Sequence, residues 1–164
     1  MKFMQVRLKS RSKNIPPLPL FSKLVGTGLY SGFFPFASGT FGSLTALLPF
    51  LIPGFSSWFI LLPVIVVFFI IGVYASGDIE KIVGQDPSIV VIDEFVGMWI
   101  SLLFIPINFM TVGAAFILFR IFDIYKPYPA NFFNEKHGGF AVMIDDVIAG
   151  IYANVVLQLI LLLI

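Results

Sequence analysis

Two pairs of adjacent acids stand in a chain that otherwise avoids charge: Asp93–Glu94 in SIVVIDEFVGMW and Asp145–Asp146 in VMIDDVIAG. Burying one carboxylate in apolar surroundings is costly, and burying two side by side costs more. Helix capping accounts for one acid per helix, because free N–H groups and the helix dipole favour negative charge there. It accounts poorly for neighbours. Residues i and i+1 point roughly 100° apart on a helix, so at most one of each pair takes a given cap position. Between the pairs come Arg120 and Asp123, three apart and hence on one helix face, with Lys126 just beyond. Asp93, Glu94, Asp123, Asp145 and Asp146 form an oxygen-only ligand set without sulfur. That set suits a hard divalent cation, above all Mg²⁺ with retained water and a substrate phosphate. Five acids could support two ions, and the residue types do not fix the number. The absence of cysteine excludes a disulfide framework, thiolate catalysis and a zinc–sulfur site. The single histidine, His137, cannot build a multi-histidine zinc site.

A second polar island, VGTGLYSGFFPFASGTFGS (25–43), carries glycine at 26, 28, 32, 39 and 42 among five serines and threonines. Backbone N–H groups in such a run can cradle an anion, especially where a helix starts near Gly39–Thr40. It is not a Walker motif, since the GKS or GKT ending is missing. Beside the carboxylates and Arg120, the residues Gly39, Thr40, Gly42 and Ser43 read as the phosphate half of a phosphate-and-metal site.

The elements that must position these groups are membrane helices. Of the 164 residues, 59% are hydrophobic and only 12% charged, against about 25% charged in an ordinary soluble domain. Residues 1–23 hold Lys2, Arg7, Lys9, Arg11, Lys13 and Lys23 and no acid. No apolar core and cleavage site follow, so this stretch reads as a basic cytoplasmic tail rather than a signal peptide. A nucleic-acid arm is the competing reading, but nothing after it resembles a nucleic-acid-binding domain. Residues 24–164 then form a single transmembrane catalytic domain.

The expected fold is an all-α polytopic membrane bundle of about five segments. The first, near 32–53, is interrupted by Pro35 and Gly39 and is either a broken helix or a re-entrant loop leading into a helix. The second is centred on WFILLPVIVVFFIIGVY (58–74), with Pro63 tolerated near its outer end. The others are 87–105, 109–126 and 142–164. The turns at 52–57 and 105–110 are uncharged, so all nineteen Lys, Arg, Asp and Glu residues fall on one side. The basic tail assigns that side to the cytoplasm. Gly97 and Gly150 each lie four residues after an acid, on its helical face, and would let helices approach closely. Asn154 and Gln158 continue that face deeper, as packing residues with interhelical hydrogen bonds or as part of the site.

The blocks GTFGS, SIVVIDEFVGMW, FRIFDIYKPYPANFF and HGGFAVMIDDVIAG resemble, in order and spacing, the bacterial phosphatidylglycerophosphatase A family, over most of residues 25–152. The resemblance implies an Mg²⁺-dependent inner-membrane phosphatase that converts phosphatidylglycerophosphate to phosphatidylglycerol and phosphate. It maps the family's motif acids and bases onto Asp86, Asp93, Glu94, Arg120, Asp123, Lys126, His137, Asp145 and Asp146, with Asp86 a further candidate metal ligand. One departure stands out: Ser38 occupies a place where the family commonly has proline. That loosens the loop and leaves its backbone donors intact.

Both lines lead to one expected chemistry. Carboxylates would hold magnesium, which neutralises phosphoryl oxygens and activates a water, while Arg120 grips phosphate in a bidentate way. Lys126 and the 39–43 backbone assist, and His137 or a carboxylate protonates the departing glycerol oxygen. An aspartyl-phosphate route stays open beside water attack. The partners expected are the phospholipid substrate and membrane lipids, with no nucleic acid and no obligate protein partner. Three rivals differ in what they require. A small ion- or proton-coupled transporter places acids near mid-membrane, a headgroup transferase spaces aspartates along two consecutive helices, and a structural subunit has no need of paired acids. A broader lipid-phosphate phosphatase would use the same site.

Overall fold

Long apolar runs with no internal charge can satisfy their backbone groups in lipid only as helices, and every regular element among the described residues is helical. The computed structural model describes residues 15–85, 87–134 and 136–163. Most of the expected basic tail, residues 1–14, and the candidate ligand Asp86 lie outside these. Seven α-helices follow in order among the described residues: α1 (Leu20–Gly26), α2 (Ser38–Thr45), α3 (Trp58–Val83), α4 (Ile92–Ser101), α5 (Phe109–Tyr125), α6 (Ala130–Asn134) and α7 (Gly139–Leu163). The result is an all-α bundle.

Two helices, α3 with 26 residues and α7 with 25, are long and apolar enough to cross a bilayer. Only 28% of the apolar window of each is buried inside the bundle, so most of that apolar surface faces outward, as a membrane helix requires. Pro63 sits in the second turn of α3, where it leaves the Phe59 carbonyl without its helical donor, a gap of the kind membrane helices tolerate.

The segment expected at 87–105 is helical only over Ile92–Ser101, about 15 Å at 1.5 Å per residue. Prolines set the limits: Pro87 opens a turn closed by Val90 N–H donating to its carbonyl, and Pro106 disfavours helix in the residue before it. The 32–53 segment is likewise interrupted, with α2 followed by a 3-10 turn at Leu48–Leu51. Helices that stop inside an apolar layer leave carbonyls in need of donors, and side chains supply them. Trp99 Nε1 donates to the Ala46 carbonyl at 2.7 Å beyond α2. Asn154 Nδ2 donates to the carbonyls of Ser101 and Leu103 at 3.2 and 2.8 Å, closing α4. Asn154 in turn accepts from Gln158, so these two polar residues have a structural task.

The C-terminal helix α7 packs on α3, α4, α5 and α6. Its crossing with α4 depends on the two glycines picked out by spacing: a Cβ on Gly150 would strike the Gly97 carbonyl, and one on Gly97 would strike the Phe119 ring and the Asp146 carbonyl. Trp99, buried, packs edge-to-face on Phe55, Phe68 and Phe95. At the start of α4, Val91 N–H donates to the Gly26 carbonyl at 2.9 Å and ties it to the end of α1.

Candidate active site

The first turn of α4 carries Asp93 and Glu94, and the second turn of α7 carries Asp145 and Asp146. Because the glycine crossing draws these helices together, Asp93, Glu94 and Asp146 each place a carboxylate oxygen within 4.8 Å of the others. All three side chains are nearly or fully buried. Like charges at that separation in a low-dielectric setting repel strongly. Buried Glu94 Oε2 and Asp146 Oδ2 also find no hydrogen-bond partner among the described residues. Crowded, orphaned carboxylate oxygens fit a hard cation, and no nitrogen or sulfur competes.

Asp145 is turned elsewhere. It forms an ion pair with Lys126, the residue just beyond α5, which ends that helix in a left-handed conformation at φ +43°. This cap, followed by Pro127, folds the lysine back over the site. Its Nζ is also 3.8 Å from Asp123 Oδ1. The lysine therefore stands between two carboxylates, Asp145 and Asp123.

Arg120 and Asp123 share a face of α5 as their spacing predicts, with Nη1 2.8 Å from Asp123 Oδ2. The same Nη1 donates to Ser43 Oγ at 3.4 Å. Gly39 lies so close that a Cβ there would strike Glu94 and press on both guanidinium nitrogens. The glycine-rich segment therefore does abut the carboxylate cluster, with α2 starting at Ser38. Ser38 itself donates to the Ser88 carbonyl at 2.6 Å. The loop expected to be loosened at Ser38 is tethered by that hydroxyl instead.

A family model described as Phosphatidylglycerophosphatase A matches residues 24–161. The chain belongs to the phosphatidylglycerophosphatase A family. Among curated relatives, a Bacteroides thetaiotaomicron protein named "Putative phosphatidylinositol-3-phosphatase" is 44% identical over 142 residues, 82% of this chain and 89% of that protein. The phosphatidylglycerophosphatase A of Escherichia coli K12 is 39% identical over 84% of this chain and 81% of its own length. That of Haemophilus influenzae is 40% identical over 81% and 84%. No solved structure matches. As a phosphatidylglycerophosphatase A family member, the protein is a membrane-associated lipid phosphatase.

Of the residues that the sequence marks for this family's site, Asp93, Glu94, Arg120, Asp123, Lys126, Asp145, Asp146, Gly39 and Ser43 come together. His137 takes a different place. Its side chain is 74% exposed, and its Nδ1 lies 3.4 Å from Glu80 Oε1; among the described residues no contact joins it to the carboxylate cluster. Glu80 is the group that sequence reading passed over, because GDIEKIVGQD resembles a charged loop. The signal was periodic: Gly72, Ser76, Ile79 and Glu80 share one face of an α3 that continues to Val83, and all four are buried.

Proposed function

We propose that this protein hydrolyses phosphatidylglycerophosphate to phosphatidylglycerol and phosphate, with Mg²⁺, at the cytoplasmic face of the bacterial inner membrane. The observation that carries the reading is the meeting of Asp93, Glu94 and Asp146 from two helices within 4.8 Å, with Arg120 and Ser43 alongside.

Asp93, Glu94 and Asp146 would hold the cation, and when bound it supplies charge to neutralise phosphoryl oxygens and to acidify the attacking water. The rest is done by the chain's own groups. Arg120 offers a planar fork to two phosphate oxygens, held in place by Asp123. Lys126 adds a second fixed positive charge, and the first-turn backbone donors of α2, at Gly39 and Thr40, complete the cradle. Water attacks phosphorus, the bond from phosphorus to the glycerol oxygen breaks, and that oxygen takes up the proton that the attacking water gives up. Such a reaction needs mainly positioning and charge stabilisation, which a buried, pre-formed site provides. His137 lies outside this cluster, beside Glu80, and takes no part in the proposed step.

The finer topology is part of the proposal: five segments, the first broken or re-entrant, a basic cytoplasmic tail at 1–23 and a catalytic domain over 24–164. Two contacts support it. The rings of Trp58 and Phe104, at the start of α3 and beyond the end of α4, lie 6.4 Å apart, joining two uncharged ends. Ser22 donates to Asp78 at 3.1 Å, joining two polar ones.

Phosphate release by purified protein tests the reading, with phosphatidylglycerophosphate as substrate, with and without Mg²⁺, beside Asp93→Asn and Asp146→Asn. Activity that survives chelation and both substitutions overturns it. A wider lipid-phosphate phosphatase is the second reading, favoured by the similarity to the Bacteroides protein and its printed name. Faster hydrolysis of phosphatidylinositol 3-phosphate or phosphatidic acid than of phosphatidylglycerophosphate would decide for it.

A further inference from the structure

Near the charged end of α3 lies a buried acid that the proposed chemistry does not use. Glu80 is only 9% exposed, and its Oε2 accepts the N–H of Gly138 at 2.7 Å. Gly138, at φ +104°, immediately precedes α7. A carboxylate accepting a free N–H at the head of a 25-residue helix is favoured both by the charge-assisted bond and by the helix dipole, and these offset its burial.

The cap sits at the foot of a tight seam. A Cβ on Gly139 would strike the Val73 carbonyl and the Gly77 nitrogen, and one on Gly72 would strike Met143. Ser76 Oγ adds a weak bond to Met143 Sδ at 3.9 Å. Residues 139, 143, 146 and 150 follow one another at helical spacing along one face of α7. The face that Glu80 pins against α3 at Gly138–Gly139 is therefore the one that carries Asp146 two turns further on. Contact with backbone, rather than with a mobile side chain tip, fixes both the height and the rotation of the helix.

We propose that Glu80 is a positioning residue for the metal-binding carboxylate Asp146, acting through the N-terminus of α7; this rests on the site reading above. It touches neither substrate nor cation. Partners bonded directly to a metal ligand contribute roughly 10–100-fold in metal affinity, and an effect transmitted through the helix falls at the low end of that range.

The test is a Mg²⁺ titration of thermal stability on the full chain purified in detergent, which reads binding without turnover. Glu80→Ala should raise the half-saturating Mg²⁺ concentration by about tenfold. Glu80→Asp, which keeps the charge but withdraws the acceptor by one methylene, should give an intermediate shift and guards against an Ala variant that does not fold. Glu80→Gln keeps an acceptor of the same reach and should restore Mg²⁺ dependence to within about threefold of the native chain. A lower melting temperature with unchanged Mg²⁺ dependence in the Ala or Asp variant would make Glu80 an ordinary cap and overturn the proposal. Asp146→Asn in the same assay separates the two levels. If it loses the Mg²⁺ response while Glu80→Ala keeps it, only the role of Glu80 fails; if it keeps the response, the site reading fails and takes this role with it.

Discussion

Asp145 and Asp146 are adjacent in the chain and serve different neighbours: Asp145 is paired with Lys126 beyond the end of α5, while Asp146 joins Asp93 and Glu94 of α4. The turn of roughly 100° between successive helical residues makes this division unavoidable. It also explains why two buried acids stand side by side. On the proposed reading, one serves the cation site, and the other neutralises the lysine of the phosphate site.

The two aspartates should therefore fail in different ways. Asp146→Asn removes a cation ligand and should raise the half-saturating Mg²⁺ concentration at least roughly 10–100-fold. Asp145→Asn frees Lys126 from its partner, and should change KM for the lipid phosphate while leaving Mg²⁺ dependence within a few-fold. Kinetics across a Mg²⁺ series on both variants check this; equal loss of Mg²⁺ response would contradict the division.

Arg120 is buried against Asp123, with side-chain exposures of 10% and 2%. Lysine in its place keeps the charge and loses the fork, so Arg120→Lys should lower kcat/KM roughly 10–100-fold, the value of one or two hydrogen bonds to a charged group. Arg120→Ala leaves Asp123 without that charge and should also destabilise the fold, by about 3–5 kcal/mol. Paired kinetics and melting curves separate the two effects.

Much of this site was legible in the sequence because its signals are local and chemical. Adjacent acids cannot both be caps, Arg120 and Asp123 must share a face, and glycines four residues after acids mark a close crossing. The glycine-rich segment was legible by its donors, and it does lie against Arg120. Other features depend on tertiary context that no spacing encodes. The ten-residue length of α4 follows from Pro87 and Pro106, but it is sustained by Asn154, more than fifty residues away, donating to its last carbonyls. His137 looked like a proton donor because it is the one histidine, yet the turn before α7 directs it to Glu80. Glu80 itself was hidden because charge in a sequence reads as exposure, whereas here a helix N-terminus offsets its burial.

The glycine crossing can be tested apart from the chemistry. A methyl group at Gly150 would meet the Gly97 carbonyl, which is backbone and cannot rotate aside. Gly150→Ala should cost about 1–3 kcal/mol, as overpacking does, and should weaken Mg²⁺ binding by parting α4 from α7. Gly113→Ala on α5 is the control, since a Cβ there meets nothing within 4 Å, and helix propensity makes it neutral or slightly stabilising. Equal melting temperatures for the two variants would remove the crossing from the account.

Lys126 and Asp145 form a buried ion pair whose contribution to stability can be measured. In metal-free protein, Lys126→Met leaves Asp145 buried without its partner and should lower stability by about 3 kcal/mol. That deficit should stay constant between about pH 7 and 9, because the lysine remains charged throughout. Adding Asp145→Asn should recover part of it, as expected for two residues that interact directly. Melting temperatures of the native chain, both single variants and the double variant across that range measure the coupling, and a deficit that fades below pH 9 would show that the ammonium is not held by these acids.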